Sequence, residues 1–153
     1  MGYSIDTSAL LDAAVRWYPQ NVFPSVWEYL DGMIAEGSLS AVEEVLRELQ
    51  RRDDAIHEWV KIRKSKLLVM LEDDIQIAVI DVLSEFPKLV DQRPSKNLAD
   101  PFVIALAKAR KLVVVSGEQG GTRDRPKIPN VCNHFGIRCL TLPQMFQELR
   151  AVF

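Results

Sequence analysis

The sequence predicts an α/β protein in three layers, with a small, mainly parallel sheet of four or five strands between two layers of helices. Three observations predict it. Short runs with strand character, Tyr3-Ser4-Ile5 and Leu112-Val113-Val114-Val115 above all, are separated by longer stretches of helical periodicity, the pattern of crossover-connected parallel strands. The second of these runs is continuously apolar, as expected of a strand buried on both faces. The chain has 153 residues, 48% of them apolar, which suits one core of ordinary domain size. No repeat, low-complexity tract or long linker divides it, so residues 1–153 are expected to form a single domain.

The elements follow in order. Tyr3-Ser4-Ile5 reads as a strand ending at Asp6. Thr7-Ser8 is placed to cap a helix that carries Ala9, Leu10, Leu11 and Ala14 to Trp17 and ends before Pro19. After Phe23-Pro24, Ser25 is expected to cap a second helix, with Val26, Tyr29, Leu30 and Met33 at helical spacing and Gly37 as its stop. Ser38-Leu39-Ser40 fits the end of a strand. Ser40-x-x-Glu43 has the form of a capping box ahead of the apolar stripe Val42, Val45, Leu46 and Leu49. Beyond the polar break Arg51-Arg52-Asp53-Asp54, another helix carries Ile56, Trp59 and Val60. Residues 66–71 read as extended. Ile75, Ala78, Val79, Val82 and Leu83 mark a helix over residues 72–86, ended by Pro87. Residues 87–97 hold two prolines and no apolar period, so they read as a loop. Ala99-Asp100-Pro101 opens a helix running to Arg110, because proline suits the first turn and an acid there favours the helix dipole. A polar, glycine-rich loop over residues 116–129 precedes a short helix at 130–135, a last strand at 137–141 and a last helix at 143–149.

Charge and composition exclude several classes. With 19 basic and 21 acidic residues the net charge is −2, unlike a protein that coats nucleic acid through bulk charge. Cys132 and Cys139 are too few for a disulfide scaffold and read as core packing in a reducing compartment. With His134 they match no standard zinc spacing and lack a fourth ligand. Gly117, Gly120 and Gly121 are not followed by the Gly-Lys-Ser/Thr of a phosphate loop. Asp6 and Asp12 interrupt the first apolar stretch, and no apolar run approaches the ~20 residues of a membrane span. A cytoplasmic protein with no membrane attachment is expected. His57 reads as solvent-facing, and Trp17, Trp27 and Trp59 as core.

In open parallel sheets, ligands bind beyond the carboxyl ends of the strands. Acids cluster in that register here. Asp6 follows the first strand, and Glu43, Glu44 and Glu48 follow the second. Ser116-Gly117-Glu118 follows Val115, and Asp100 heads the helix leading into that strand. Taken singly, Asp6 and Asp100 also read as helix caps, Glu48 as a solvated helix face and Glu118 as a loop acid. Together they would repel one another unless cations neutralised them. Hard, oxygen-preferring Mg²⁺ or Mn²⁺ is the matching partner, and such ions activate water and stabilise charge on a phosphodiester.

Four segments resemble the PIN domain in order and spacing: Ile5-Asp6-Thr7-Ser8-Ala9-Leu10, Val45-x-x-Glu48-Leu49, Ala99-Asp100-Pro101-Phe102-Val103-Ile104-Ala105-Leu106-Ala107 and Val113-Val114-Val115-Ser116-Gly117-Glu118. Tyr18-Pro19, Phe23-Pro24-Ser25-Val26-Trp27, Lys127-Ile128-Pro129-Asn130-Val131-Cys132 and Phe135-Gly136-Ile137 resemble in particular a small prokaryotic PIN-like family. The likeness spans essentially the whole chain. It implies a three-layer PIN-like fold and a metal-dependent ribonuclease acting on single-stranded RNA, of the kind found as VapC-type toxins held inactive by a cognate antitoxin protein. A homodimer is implied as well. By the same resemblance Asp6, Glu48, Asp100 and Glu118 are the catalytic, Mg²⁺- or Mn²⁺-binding acids. Glu44, one helical turn before Glu48, stands in reserve. Ser8 and Ser116 support them. Glu118 occupies a position where PIN domains usually carry aspartate, and its carboxylate reaches one methylene further. The implied chemistry is in-line attack by a metal-activated water, with no histidine base. RNA phosphates would meet Arg123, Arg125 and Lys127 in the loop after Glu118, or Arg47, Arg51 and Arg52 beside the second acid. The departure at Glu118 leaves an alternative open, a catalytically degenerate PIN-like module that binds RNA or a protein.

Overall fold

Five short strands form the expected sheet in a computed structural model that describes residues 2–90 and 98–153. They are β1 (Tyr3–Ile5), β2 (Leu39–Val42), β3 (Leu68–Val69), β4 (Val113–Val115) and β5 (Cys139–Leu140). Their order is β3-β2-β1-β4-β5, and every pairing is parallel. Tyr3 lies opposite both Leu39 and Val113, and Ile5 opposite Val115. Every residue of β1 and β4 is buried, which explains why Val113-Val114-Val115 shows no alternation.

The flanking helices are α1 (Thr7–Asp12), continued by a π-helical turn over Ala13–Trp17, then α2 (Pro24–Glu36), α3 (Glu43–Gln50), α4 (Asp54–Ile62), the single turn α5 (Lys64–Leu67), α6 (Asp73–Glu85), α7 (Asp100–Arg110), α8 (Ile128–Phe135) and α9 (Leu142–Glu148). One buried bond sets α7 against the central strand: the Ser4 hydroxyl donates to the Val103 carbonyl at 2.9 Å. This bond helps hold the N-terminus of α7, and so Asp100, near the carboxyl end of β1. Trp27 and Trp59 stack edge to face in the core at 5.1 Å between ring centroids, while Trp17 is partly buried. No helix among the described residues is long and apolar enough to cross a membrane.

The structure differs from the sequence expectation mainly at element ends. Ser40 lies inside β2, opposite Ser4, so no capping box forms with Glu43, and α3 starts straight after the extended Val42. Buried Ala41 and Val42 continue the strand and pair with Leu68 and Val69. Burying two apolar side chains outweighs one cap worth about 1 kcal/mol. Asp6, not Thr7-Ser8, caps α1. Proline at the first position starts α2 one residue before Ser25. Residues 64–67 turn helically, so the extended segment shrinks to β3. Pro87–Leu89 forms a 3-10 turn within the expected loop, and residues 91–97 of that loop lie outside the described residues. The last helices begin earlier than expected, and β5 is shorter. The His57 side chain is only 18% exposed, so it is largely covered rather than solvent-facing.

Candidate metal centre

The strand order places β2 and β3 on one side of β1 and β4 and β5 on the other, so the crossovers leave in opposite directions. A crevice opens at the carboxyl ends of strands at such a switch point. Asp6 is the residue after β1, Glu118 lies three residues beyond β4, and Asp100 heads α7. One carboxylate oxygen from each of these three lies within 4.8 Å of the others. Asp6 and Asp100 are buried, and Glu118 is half-buried.

Hydrogen bonds tie the acids to the backbone around them. Asp6 Oδ2 accepts from the Ser8 hydroxyl at 2.5 Å, from the Ser8 N–H at 3.4 Å and from the Ser116 hydroxyl at 3.4 Å. The Ser8 oxygen accepts from the Gly117 N–H at 2.9 Å, and the Ser116 oxygen from the Glu118 N–H at 3.1 Å. The two serines thus lock the loop after β4 onto Asp6. Glu118 Oε2 accepts from the Ile128 N–H at 3.1 Å, at the start of α8, where unpaired N–H groups and the helix dipole favour an anion. Glu48 stands outside the three-acid cluster. Its Oε1 accepts from the Ala99 N–H at 2.9 Å and so braces the start of the helix that carries Asp100. Glu44 lies on the same pocket wall, 3.6 Å from Arg47.

Asp100 Oδ2 is buried and has no hydrogen-bond partner among the described residues. An orphaned, buried carboxylate oxygen is costly. Burial, then the charges of Asp6, Glu118 and Glu48, push the Asp100 carboxyl up to about 10, with Lys127 opposing. Asp6 rises to about 7, first through burial. The Ser8 hydroxyl opposes that rise, and Glu118 and Glu48 add to it. Two acids held away from ionisation beside a third are what a divalent cation would relieve, and an all-carboxylate donor set suits Mg²⁺ or Mn²⁺.

The cluster opens into a pocket of about 760 Å³. Arg47, Arg51, Arg52 and Lys127 line it on the cationic side, and Leu98 and Phe102 supply apolar surface. Of the loop cations expected from the sequence, Lys127 reaches the pocket, whereas Arg123 and Arg125 are exposed outside it. Asn130 explains the difference. Its Oδ1 accepts from the N–H groups of Gly121 at 2.6 Å and Lys127 at 3.0 Å, pinching the loop so that the residues between turn outward. Sequence reasoning did not single out Asn130 for this role. The available signal was a side-chain acceptor three residues after the start of a helix cap. Thr7 was missed as well. The sequence suggests a cap there, yet the buried Thr7 hydroxyl has no partner among the described residues and the residue lines the pocket beside Asp6.

Gly117 is required by close approach. A Cβ there would sit 2.4 Å from Asp12 Oδ2 and 2.9 Å from the Ser8 carbonyl oxygen. Gly117→Ala is expected to destabilise the protein by about 1–3 kcal/mol, read as a lower urea midpoint at unchanged slope. A midpoint equal to wild type would show that the Ser8 turn yields freely.

A five-stranded parallel sheet of this order, flanked by helices and carrying its acids at the carboxyl edge of the central strands, defines a PIN-like α/β fold. The chain belongs to the family described as "Domain of unknown function (DUF4411)", which matches residues 3–153. No curated protein matches the sequence. Among solved structures the chain is similar to one in the crystal structure of VapBC2 from Rickettsia felis bound to a DNA fragment from their promoter. The identity is 16% and the TM-score 0.52, over 77% of this chain and 88% of that one. At that identity the likeness is one of fold.

Proposed function

We propose that the protein is a metal-dependent endoribonuclease that cleaves single-stranded RNA as the toxin of a toxin–antitoxin pair. The observation that carries this reading is a buried, unpartnered Oδ2 on Asp100, whose carboxylate clusters with those of Asp6 and Glu118 in a donor set that fits a hard divalent cation. Asp6, Asp100 and Glu118 would hold Mg²⁺ or Mn²⁺, and Glu48 would act on them through the start of α7. Bound there, the cation supplies an activated water and stabilises the charge of a phosphodiester under attack. Ser8 and Ser116 keep Asp6 oriented. Arg47, Arg51, Arg52 and Lys127 offset the negative field that would otherwise repel a phosphate chain, and they hold it across the pocket. The likeness in fold to VapBC2 supports the toxin–antitoxin setting and an antitoxin protein as partner. Residues 1–153 act as one PIN-like domain, and two copies pair as a homodimer.

One observation favours the alternative of a degenerate binding module: the Glu118 carboxylate already accepts a hydrogen bond from Ile128. Labelled single-stranded RNA incubated with the protein and Mn²⁺ or Mg²⁺, and again with EDTA, separates the two. The nuclease cleaves with either ion and stops in EDTA. Folded protein that binds RNA and leaves it intact in both ions is the binding module. Arg52→Ala is expected to weaken single-stranded RNA binding and to flatten the slope of log affinity against log salt by about 0.7, the share of one phosphate contact. An unchanged slope places the RNA elsewhere.

A further inference from the structure

Phe102 stands apart from the rest of its helix. Asp100, Pro101 and every residue from Val103 to Ala107 are buried. Phe102 alone in that run stays partly exposed, and it borders the acid pocket. Singly exposed apolar residues are ordinary on an open surface, but this one lies in the wall of a concave, otherwise charged site. The chain's other phenylalanines are placed differently. Phe23, Phe86, Phe135, Phe146 and Phe153 each pack edge to face on another aromatic ring. Phe102 makes no such contact among the described residues, and among them it is the pocket's one aromatic side chain.

Asp100 and Phe102 share the first turn of α7. Two positions along a helix turn side chains about 200° apart around its axis. Both nevertheless border the pocket, so it spans the end of α7 from the acids to Phe102. Its volume of about 760 Å³ falls in the range that encloses a small ligand. Its wall has two chemistries. Arg47, Arg51, Arg52 and Lys127 suit phosphate, while Phe102 and Leu98, itself 42% exposed, suit a flat apolar group. A nucleotide has the same two halves, an anionic backbone and a flat base with a π-face.

We propose that Phe102 and Leu98 form a nucleobase subsite, in which the Phe102 ring stacks on one unpaired base of an RNA strand whose adjoining phosphate lies at the acid cluster. The subsite rests on the single-stranded RNA reading and supplies what selects the strand. Within a duplex the faces of each base are covered by its neighbours, whereas a single strand can splay a base out onto an aromatic side chain. Stacking uses the π-face that every base has, so the subsite accepts all four bases and rejects a paired one. Because Asp100 and Phe102 belong to one helical turn, the stacked base is held at a fixed distance from the phosphate under attack.

The test is equilibrium binding by the full chain in EDTA, read by fluorescence anisotropy, so that no cleavage enters. The two probes are a labelled adenylate RNA hexamer and a hexamer with the same sugar–phosphate backbone but no bases. Wild type is expected to bind the intact hexamer at least about five-fold more tightly, the effect of one stacked base. Phe102→Leu keeps an apolar side chain but removes the π-face, and is expected to bind both probes as wild type binds the abasic one. Phe102→Trp is expected to keep the gap. Arg52→Ala is expected to weaken both probes equally and leave the gap intact. Phe102 also packs against the core, so Leu98→Ala at the exposed neighbour is the second variant, and it is expected to narrow the gap. Equal binding of the two probes by wild type, or a gap that survives in Phe102→Leu, would overturn the subsite and leave the RNA reading standing. Binding of neither probe would strike the RNA reading itself, and the subsite with it.

Discussion

Asp100→Asn is expected to lose RNA cleavage and gain stability at the same time. Asparagine keeps the shape of the side chain at the head of α7 but cannot supply the anionic oxygen that a cation would need there. On the proposed reading the cation site loses one of its two buried acids, and cleavage falls by about 10²–10³-fold or more, the usual cost of removing one electrostatic stabiliser. The stability gain has a pH signature. The folded carboxyl is pushed up to about 10 from an ordinary value of 3.8. Between those values the folded state holds a proton that the unfolded chain has released, so wild-type stability falls as pH rises. Asparagine has no such proton. The variant should match wild type below pH 4 and gain steadily above it, reaching about 2–4 kcal/mol near neutrality. Thermal melts of the metal-free proteins across that range check this. A variant less stable than wild type at neutral pH would mean that the carboxyl makes bonds that the geometry does not contain.

Adding Mn²⁺ to the wild type is the second large effect. A ligand that binds only the folded state at a hundred times its dissociation constant stabilises by about 2.7 kcal/mol, or roughly 5–10 °C for a chain of this length. The gain should grow with pH, because Asp6 and Asp100 must both release protons before they can hold the ion. The metal-free protein runs the other way. Asp6, raised to about 7, contributes its full stability below 3.8 and loses it as pH climbs to neutrality. The melting curves with and without Mn²⁺ should therefore diverge with rising pH. Parallel curves would detach the buried acids from metal binding.

The three clustered acids were legible in the sequence because each sits at the end of an element whose type was clear. Val113-Val114-Val115 could only be a buried strand, and Asp100-Pro101 could only start a helix. The roles of the acids around them were not legible. Glu48 matched a ligand pattern, but the structure gives it the Ala99 N–H, a contact across 51 positions that no local signal encodes. Arg123 and Arg125 looked equivalent to Lys127 because all three share one polar loop. The side chain of Asn130, reaching back to Gly121, helps to separate them. The false capping box at Ser40 has the same origin. A local pattern worth one hydrogen bond gave way to a strand pairing set by distant residues. Long-range contacts decide element ends and side-chain roles, while local patterning decides the elements themselves.

Isothermal titration of Mn²⁺ into metal-free wild type and Asp100→Asn, each in two buffers of different ionisation enthalpy, tests the central claim most directly. The account predicts binding to the wild type with protons released and an affinity that rises with pH, and little or none to the variant. Equal binding by both proteins, or none by the wild type, would contradict it and leave the three acids without a cation to explain them.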